Sequence, residues 1–232
     1  MGGCLSTPEQ GQGGAVKYAA PPPGQQGYYP PVPNQTYAAA AGAGIPPPGQ
    51  WPHPAAAGGA GYTICKALFF PDPALPCHNA RKPGGCRRHN CNFAHQQTSL
   101  TQLLDVIASA RQSLIICVFT ITCDEISDVV IGAHKRGIKV RVISDDDQAK
   151  TQGSDVARMQ QAGIPVKVDH QPTHMHHKFC VVDGRVLING SFNWTRQAVI
   201  GNNENVVILD IPSLVAEFSQ YFEALWAKFR PL

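Results

Sequence analysis

The amino-acid sequence predicts an α/β protein, in which a layered sheet is flanked by helices and preceded by a disordered tail. Short apolar runs rich in β-branched residues alternate with segments of helical periodicity from about residue 99 to residue 232, which is typical of an α/β sheet. Residues 1–61 are Gly, Pro, Ala, Gln and Tyr with almost nothing aliphatic, so they cannot bury enough surface to offset their ordering entropy. The 232 residues therefore suit one domain of about 150 residues with additional segments.

The elements of the predicted domain, 99–232, follow from local patterns. The first helix is capped by Thr98 or Ser99 and has apolar residues at helical spacing, on Leu100, Leu103, Leu104 and Ile107. Strand-like runs cover 113–120, 139–144, 166–169, 179–182, 185–188 and 206–209, and helices cover 124–136 and 155–162, each followed by a glycine. An amphipathic helix closes the chain, with apolar residues at Leu214, Phe218, Phe222, Leu225 and Phe229.

Charge and cysteine content exclude several classes of protein. A formal net charge of +3 implies no large cationic field. The sequence contains no run of eighteen apolar residues, so it predicts no transmembrane helix. Eight cysteines would suit a secreted disulfide scaffold, but we find no signal peptide pattern, and three of the cysteines have zinc-ligand spacing. We therefore expect a reducing, cytosol-facing compartment, with Cys117 and Cys180 as buried thiols.

The amino terminus carries an acylation pattern. Gly2 and Ser6 fit the myristoylation motif, with Gly2 as the acceptor, and Cys4 lies where a second acyl chain can be added. Because two chains anchor a protein stably and one does so only marginally, we expect association with the cytosolic face of a membrane. The alternative is an unmodified tail. Pro-Pro-Pro-Gly-Gln recurs at 21–25 and 46–50, which favours a polyproline spacer, with a proline-binding partner as the alternative.

A structural zinc site is predicted in the segment 62–98, after a lead-in strand. A C-x8-C-x4-C-x3-H pattern is formed by Cys77, Cys86, Cys91 and His95. Three thiolates and one imidazole suit a closed tetrahedral site. The pattern resembles the CCCH zinc finger, whose middle gap usually has one residue more. His78 and His89 are alternatives for the fourth ligand.

Two roles for this finger remain open. Phe93 can stack on the bases of single-stranded RNA, and the neighbouring cations can contact phosphates. These cations are Arg81, Lys82, Arg87 and Arg88. Alternatively, zinc only folds a short segment that has no core of its own, and the arginines are its solvated face.

The most informative residues surround a predicted hairpin. Asp183 and Gly184 predict a tight turn between the strand-like runs 179–182 and 185–188. Alternate residues of a strand share a face, so the hairpin brings two polar pairs to one end of the sheet. The pairs are His176 with Lys178, and Ser191 with Asn193. An imidazole, an ammonium, a hydroxyl and an amide converging there can receive a phosphate.

This spacing resembles the phospholipase D superfamily motif, H-x-K-x4-D-x6-G-S, and in particular the single-motif branch of the mitochondrial cardiolipin hydrolases, or Zucchini proteins. The resemblance runs from about residue 68 to residue 229, and its flanking matches are Ala67-Leu-Phe-Phe-Pro71, Met175-His-His-Lys-Phe179, Gly190-Ser-Phe-Asn-Trp-Thr195 and Asn202-Asn-Glu-Asn-Val206. It implies a phospholipase D-like mixed sheet and a phosphodiesterase that forms a phosphohistidine without a catalytic metal.

The resemblance also implies a role for each motif residue. His176 is the nucleophile, while Lys178 and Asn193 hold the non-bridging phosphate oxygens, with Ser191 as a further donor. Glu204 accepts a hydrogen bond from the second imidazole nitrogen and fixes its tautomer. The remaining motif residue, Asp183, is counted with the catalytic set by its spacing, although its place at the turn favours a structural role.

A single motif leaves the reaction short of a proton donor. One imidazole cannot be nucleophile and acid in the same step, and the sequence contains no second H-x-K motif. We therefore expect a twofold homodimer in which the two His176 side chains face each other.

The motif specifies the bond to be broken but not the substrate. Double acylation favours a membrane phospholipid such as cardiolipin, cleaved to phosphatidic acid, because the substrate would lie in the anchoring plane. The basic finger and the Gly-Ser-Phe-Asn sequence favour an endonuclease on single-stranded RNA or DNA. A non-catalytic RNA-binding or scaffold protein is the third alternative, against which the complete motif argues. The mitochondrial outer membrane stays open as a location, although acylation in place of a membrane segment weakens it.

Two clusters of potential metal ligands lie between these motifs. Three adjacent carboxylates, Asp145, Asp146 and Asp147, cannot all face one way, and we expect a solvated loop there. A histidine cluster is formed by His170, His174, His176 and His177, but Lys178 among them would repel a cation.

Overall fold

The computed structural model describes residues 64–80 and 82–232. The acylation residues Gly2 and Cys4, the predicted tail 1–61 and the side chain of Arg81 lie outside the described residues. The strands are β1 (Cys65–Phe70), β2 (Ser113–Val118), β3 (Lys139–Ser144), β4 (Val166–Val168), β5 (Lys178–Val182), β6 (Val186–Gly190), β7 (Glu204–Leu209) and β8 (Arg230–Pro231). The helices are α1 (Ser99–Ala108), α2 (Asp124–Lys135), α3 (Asp146–Lys150), α4 (Val156–Gln161), α5 (Arg196–Ile200) and α6 (Pro212–Lys228).

The predicted mixed α/β sheet is confirmed. Its eight strands follow the order β1-β7-β6-β5-β2-β3-β4-β8. The pairs β2–β3 and β3–β4 are parallel, as expected for strands joined through α2 and α4, and the other pairs are antiparallel. The tight β5–β6 hairpin lies inside the sheet, so the motif at its ends is carried by strands that are paired on both sides.

Apolar side chains form a core on each face of the sheet. One core joins α1, α2 and α4 to the sheet, with Leu103, Ile126 and Met159 each fully buried. The other lies under α6, where Phe222 packs with Phe179 of β5. Both cores use the apolar stripes that the sequence predicts, and burial of a large side chain stabilises the fold by about 1.5–3 kcal/mol.

Most predicted elements are confirmed, but the run of aspartates is not the solvated loop that we expect. Asp145 is only 1% exposed and is the N-cap of α3, accepting hydrogen bonds from the backbone nitrogens of Asp147 and Gln148. Carboxylates at a helix start satisfy free backbone donors and complement the helix dipole. The short α5 and β8 are further elements that the sequence pattern misses.

The predicted lead-in strand is β1, an outer strand of the same sheet that pairs with β7. The cysteine-rich segment therefore lies between two elements of the domain. Its ends meet at Asp72, whose two carboxylate oxygens accept from the backbone nitrogens of Ser99 and Leu100 at 2.9 and 2.8 Å. Within the ranges that the structure describes, no helix has the length and apolarity needed to cross a membrane.

Candidate active site

The polar motif residues converge because the sheet register aligns three strand ends. β5 begins at Lys178, β6 ends at Gly190 and β7 begins at Glu204. Phe179 pairs with Asn189, and Gly190 pairs with Val206, so these three ends lie at the same edge. The predicted convergence is thus produced by the ladder hydrogen bonds that pair three consecutive strands.

His176 lies immediately before β5 and projects away from the core. Met175 between His174 and His176 is 4% exposed, whereas both histidines are exposed. The His176 ring contacts the ring of Phe119 with centroids 4.5 Å apart. Burial, together with the positive charges of Lys178 and His174, lowers the pKa of His176 below its usual 6.5 despite the opposing charge of Asp145. A neutral imidazole has a free lone pair, so His176 is suited to nucleophilic attack.

Lys178 is held beside the nucleophile by two contacts. Its Nζ donates to the backbone oxygen of His176 at 2.8 Å and lies 5.0 Å from the centroid of the Phe119 ring. Burial lowers the pKa of Lys178, and the charge of Glu204 opposes that shift. An ammonium has three donors, so those not used by His176 can bind phosphate oxygens.

Glu204 holds the serine of the motif. Its carboxylate accepts hydrogen bonds from the Ser191 hydroxyl and, at 3.1 Å, from the amide of Asn202. The Ser191 oxygen accepts in turn from the backbone nitrogen of Asn205 at 3.1 Å. The expected hydrogen bond from His176 to Glu204 is not found among the described residues, in which the two carboxylate oxygens accept from Ser191 and Asn202. Glu204 therefore orients the hydroxyl and favours the charged form of Lys178.

Asn193 is placed by the aromatic residue that precedes it. Phe192 is 1% exposed and stacks on Phe70 of β1 with centroids 4.2 Å apart, which fixes the turn after β6. In the part of the chain that the structure describes, the buried side-chain oxygen of Asn193 has no hydrogen-bond partner. Rotation of the side-chain amide by half a turn exchanges its oxygen and nitrogen, so Asn193 can present two N–H donors to a phosphate.

Gly190 permits the close approach of β6 and β7 beside the site. A Cβ at this position would lie 2.1 Å from the backbone oxygen of Asn205. The same carbonyl accepts from the backbone nitrogen of Ser191 at 3.1 Å. The glycine of the motif is therefore required by packing, and it aligns Ser191 with Glu204.

Asp183 is the one motif residue that the structure places elsewhere. It lies at the turn between β5 and β6, the opposite end from Lys178, with a positive φ of 54°. Its carboxylate accepts from the backbone nitrogens of Arg111, Gln112 and Ser113 at 2.8–3.1 Å. Its inclusion in the catalytic set is corrected: the spacing of the motif reflects the length of the hairpin, and Asp183 fixes the turn.

Comparison with known proteins identifies the family. Residues 103–226 match the family model described as "Cardiolipin synthase, PLD-like domain". The mitochondrial cardiolipin hydrolase of Chlamydomonas reinhardtii is 56% identical over 182 residues, which cover 78% of this chain and 82% of that protein. The human protein of the same name is 40% identical over 176 residues, covering 72% and 68%. The chain belongs to the phospholipase D superfamily. It is a phospholipase D-type phosphodiesterase of the single-motif branch.

Solved structures show the same fold. The phospholipase D family member Nuc of Salmonella typhimurium superposes with a TM-score of 0.58 at 23% identity, covering 72% of this chain and 97% of Nuc. NucT from Helicobacter pylori gives a TM-score of 0.54 at 20% identity, covering 72% and 99%. The phospholipase D fold of the described residues thus agrees with the expectation from the sequence.

Ahead of the α1 helix of this phospholipase D domain, the four predicted zinc ligands come together. The ligand atoms of Cys77, Cys86, Cys91 and His95 all lie within 4.8 Å of one another. The sulfur atoms of Cys77 and Cys91 are 3.7 Å apart. Two thiolates on a tetrahedral zinc, with Zn–S bonds of about 2.3 Å, would be separated by about 3.8 Å. The cluster therefore fits zinc, with His95 as the fourth ligand among the described residues.

The remaining finger residues face solvent. Phe93 is 46% exposed, and Arg87 and Arg88 are exposed. A cavity of about 1050 Å³ separates the second half of the finger, including Phe93, from β1. These side chains are exposed, which the RNA-binding role of the finger requires and its structural role allows.

A pair that the sequence does not predict borders the active site of the phosphodiesterase. The Asp145 carboxylate, buried at the end of β3, lies 3.0 Å from Nδ1 of His174. Asp145, Asp147 and His174 also have ligand atoms within 4.8 Å of one another, a proximity that the Asp145–His174 contact and the shared turn of α3 explain. The pairing joins residues 29 positions apart, so periodicity gives no signal for it.

Proposed function

We propose that the protein hydrolyses cardiolipin to phosphatidic acid through a phosphohistidine intermediate on His176. The observation that carries this proposal is the placement of His176, Lys178, Ser191 and Glu204 at one edge of the sheet. The curated relatives with the highest identity named above are mitochondrial cardiolipin hydrolases, which favours this lipid.

In the first step, an imidazole nitrogen of His176 attacks phosphorus, and the bond from phosphorus to the leaving glycerol oxygen breaks. Lys178 and Asn193 donate to the non-bridging oxygens, where negative charge grows, and the Ser191 hydroxyl becomes a further donor once it rotates away from Glu204. In the second step, water attacks phosphorus and the phosphorus–nitrogen bond breaks, which restores His176. These charges are balanced by protein donors, so the proposal includes no catalytic metal.

The leaving oxygen needs a proton in the first step, and the attacking water loses one in the second. We propose that both are handled by His176 of a second copy, in a twofold dimer. A nucleophile and a leaving group lie on opposite sides of phosphorus, so a donor facing His176 across a twofold axis has the required direction. Proteins with this family's domain commonly assemble in this way to complete the site.

Membrane association is proposed through the amino terminus. Acyl chains on Gly2 and Cys4 would hold the enzyme on the cytosolic face of a membrane, in the plane of its lipid substrate. The names of the relatives favour a mitochondrial membrane, and anchoring from the cytosol would place the enzyme on the outer one. Gly2→Ala should move the full-length protein from the membrane fraction to the soluble fraction, and an unchanged distribution would contradict acyl anchoring.

The alternative substrate is single-stranded RNA or DNA. The exposed Phe93 ring beside Arg87 and Arg88 favours it, since stacking and phosphate contacts are how such strands are bound. A proline-binding partner of the tail stays a separate prediction, because the repeated Pro-Pro-Pro-Gly-Gln segments lie outside the described residues.

The zinc proposal is structural. Cys77, Cys86, Cys91 and His95 would bind the ion, which would fold the segment between β1 and α1. Cys91→Ser should reduce the zinc content of purified protein from about one ion per chain to near zero, measured by elemental analysis. Retention of a full equivalent would contradict this ligand set.

The deciding experiment offers the purified enzyme cardiolipin vesicles and labelled single-stranded RNA in parallel, with His176→Asn as the control. Release of phosphatidic acid by the native protein and not by the variant supports the proposal. Variant-sensitive cleavage of RNA alone would replace cardiolipin with nucleic acid, and activity that survives in His176→Asn would remove His176 as the nucleophile. A chelator added to each assay tests whether the finger contributes.

A further inference from the structure

Phe119 lies at the centre of the catalytic groups, although neither the motif nor the family match assigns it a role. It follows directly on β2, half-buried, at the edge where the site lies. Its ring centroid is 4.5 Å from that of His176 and 5.6 Å from that of His174, and the Lys178 Nζ is 5.0 Å from it. We infer that Phe119 is a positioning residue, whose ring holds the Lys178 ammonium and the His176 imidazole in register for attack on phosphorus.

The backbone of Phe119 is fixed from both neighbouring strands. Its nitrogen donates to the carbonyl of His177 at 2.8 Å, and its carbonyl accepts from the hydroxyl of Ser144 at 3.0 Å. Ser144 is fully buried at the end of β3. The backbone of Phe119 is therefore bonded both to the segment that carries His176 and to the end of β3 next to Asp145. The position from which the ring projects is set by the fold rather than by the substrate.

Core packing alone does not account for this placement. Phe119 belongs to neither of the two hydrophobic clusters formed by the described residues. Its ring contacts are made instead with two imidazoles and an ammonium. A half-buried aromatic ring in contact with three nitrogen-bearing side chains is better explained by what it does for those groups.

The electrostatic reason concerns Lys178. Burial disfavours its ammonium, and the facing groups are Glu204 from β7 and the imidazoles of His176 and His177 on its own segment. A second carboxylate would stabilise the cation but would also repel a phosphate. An aromatic face attracts a cation through its quadrupole and carries no net charge, so it stabilises Lys178 without opposing the substrate.

The same ring restrains the nucleophile. The rings of His176 and Phe119 are tilted by 58°, and the His174 ring meets the Phe119 ring edge-on at 72°. His174 is attached to the buried Asp145 through its Nδ1. Asp145, His174 and Phe119 thus form a continuous support that extends from the end of β3 to the catalytic imidazole.

The test compares Phe119→Leu, which keeps apolar volume without a π face, with Phe119→Tyr, which keeps the ring. The inference depends on the proposed phosphodiesterase activity but not on cardiolipin, so bis(p-nitrophenyl) phosphate serves as a second substrate. We expect Phe119→Leu to lower kcat/KM about tenfold on both substrates, and Phe119→Tyr to stay within about twofold of the native enzyme. Removing the ring should also lower the pKa of Lys178. With bis(p-nitrophenyl) phosphate, whose nitrophenolate leaves without a proton donor, the alkaline limb of the pH profile should therefore move to lower pH in Phe119→Leu only.

Melting temperatures of both variants provide the folding control. If Phe119→Leu does not fold, Phe119→Met takes its place. The inference is overturned if the variant without a ring keeps native kcat/KM, if its alkaline limb does not move, or if the tyrosine variant falls as far as the leucine variant. Failure of the native enzyme on both substrates would instead contradict the proposed function.

Discussion

The two ends of the β5–β6 hairpin carry residues of one sequence motif, yet they differ in how their polar groups are used. At the turn, three backbone donors occupy the Asp183 carboxylate. At the open end, the His176 carbonyl is the only acceptor that the described residues offer to the Lys178 ammonium, and the Asn193 side-chain amide oxygen has no hydrogen-bond partner among them. Hydrogen-bonding capacity that the fold leaves unused is what a substrate can engage.

The electrostatics of the two ends differ in the same way. At the turn, burial alone would raise the pKa of Asp183, but the backbone donors outweigh it and hold that pKa below its usual value. At the open end, burial lowers the pKa values of both His176 and Lys178, and the charge of Lys178 lowers that of His176 further. The turn stabilises the charge of its own carboxylate, whereas the basic groups of the open end would be stabilised in their charged forms by a bound anion.

The largest difference between the two ends should appear in turnover. His176→Asn should lower the hydrolysis rate by at least about a thousandfold, because the nucleophile is lost, while the fold is kept. Asp183→Asn should retain most of the native rate, since it contacts only backbone. Steady-state rates at a temperature where both variants are folded provide the measurement, and equal losses would show that the two ends act together.

Two glycines allow a matched comparison of packing. Gly190→Ala would bring a Cβ to 2.1 Å from the carbonyl of Asn205, so β6 and β7 must separate beside Ser191. We expect a loss of at least about 2 kcal/mol in unfolding free energy, together with loss of activity. Gly184 at the turn has a φ of 61°, and an added Cβ would meet no atom within 4 Å. Gly184→Ala should therefore lower the unfolding free energy by only about 1–2 kcal/mol, through backbone strain, and leave the rate intact. Urea unfolding and rate measurements on both variants check this.

Removing the turn carboxylate should affect stability in a pH-dependent manner. Asp183→Ala should lower the unfolding free energy by about 2 kcal/mol at pH 7, since charge-assisted hydrogen bonds to backbone are lost. The native pKa of Asp183 is below its unfolded value, so its stabilisation is present above the unfolded pKa and is lost as pH falls through the folded pKa. The difference between native protein and variant should therefore shrink in acid, and a constant difference would contradict it.

The smallest expected effect concerns the pH profile of the open end. The pKa of His176 is below its usual 6.5, so the acid limb of kcat/KM should lie below that pH, where attack is lost as the imidazole is protonated. His174→Gln removes a repelling charge and leaves Asp145 as an unpaired attractor. The pKa of His176 should then rise, and the acid limb should move upward by a fraction of a pH unit. No movement would show that His174 is not coupled to the nucleophile.

Local patterns predict the elements that depend on local interactions. The strand 139–144 and the start of α1 at its Thr98 cap agree with the structure, because apolar periodicity and capping act within a few residues. The helix α3 is missed because its five residues are too short for periodicity, although Asp145 has the N-cap residue type.

The candidate site is predicted only as far as it lies in one continuous motif. His176, Lys178 and Ser191 are identified by their spacing around a hairpin, whereas Phe119 and Asp145 reach the site from β2 and β3. Their approach depends on strand order, which no short segment specifies. The role of Glu204 also needs the structure, because the choice of Ser191 over His176 as its donor is a matter of geometry.

The Asp72 carboxylate joins the two ends of the cysteine-rich segment. Asp72 binds the first backbone donors of α1, and its own nitrogen donates to the Val199 carbonyl at 2.7 Å. The chain thus leaves the catalytic sheet and returns to it at nearly the same point. Insertions or deletions in the intervening loops, such as the shortened middle gap of the finger, can accumulate in evolution without displacing the neighbouring strands.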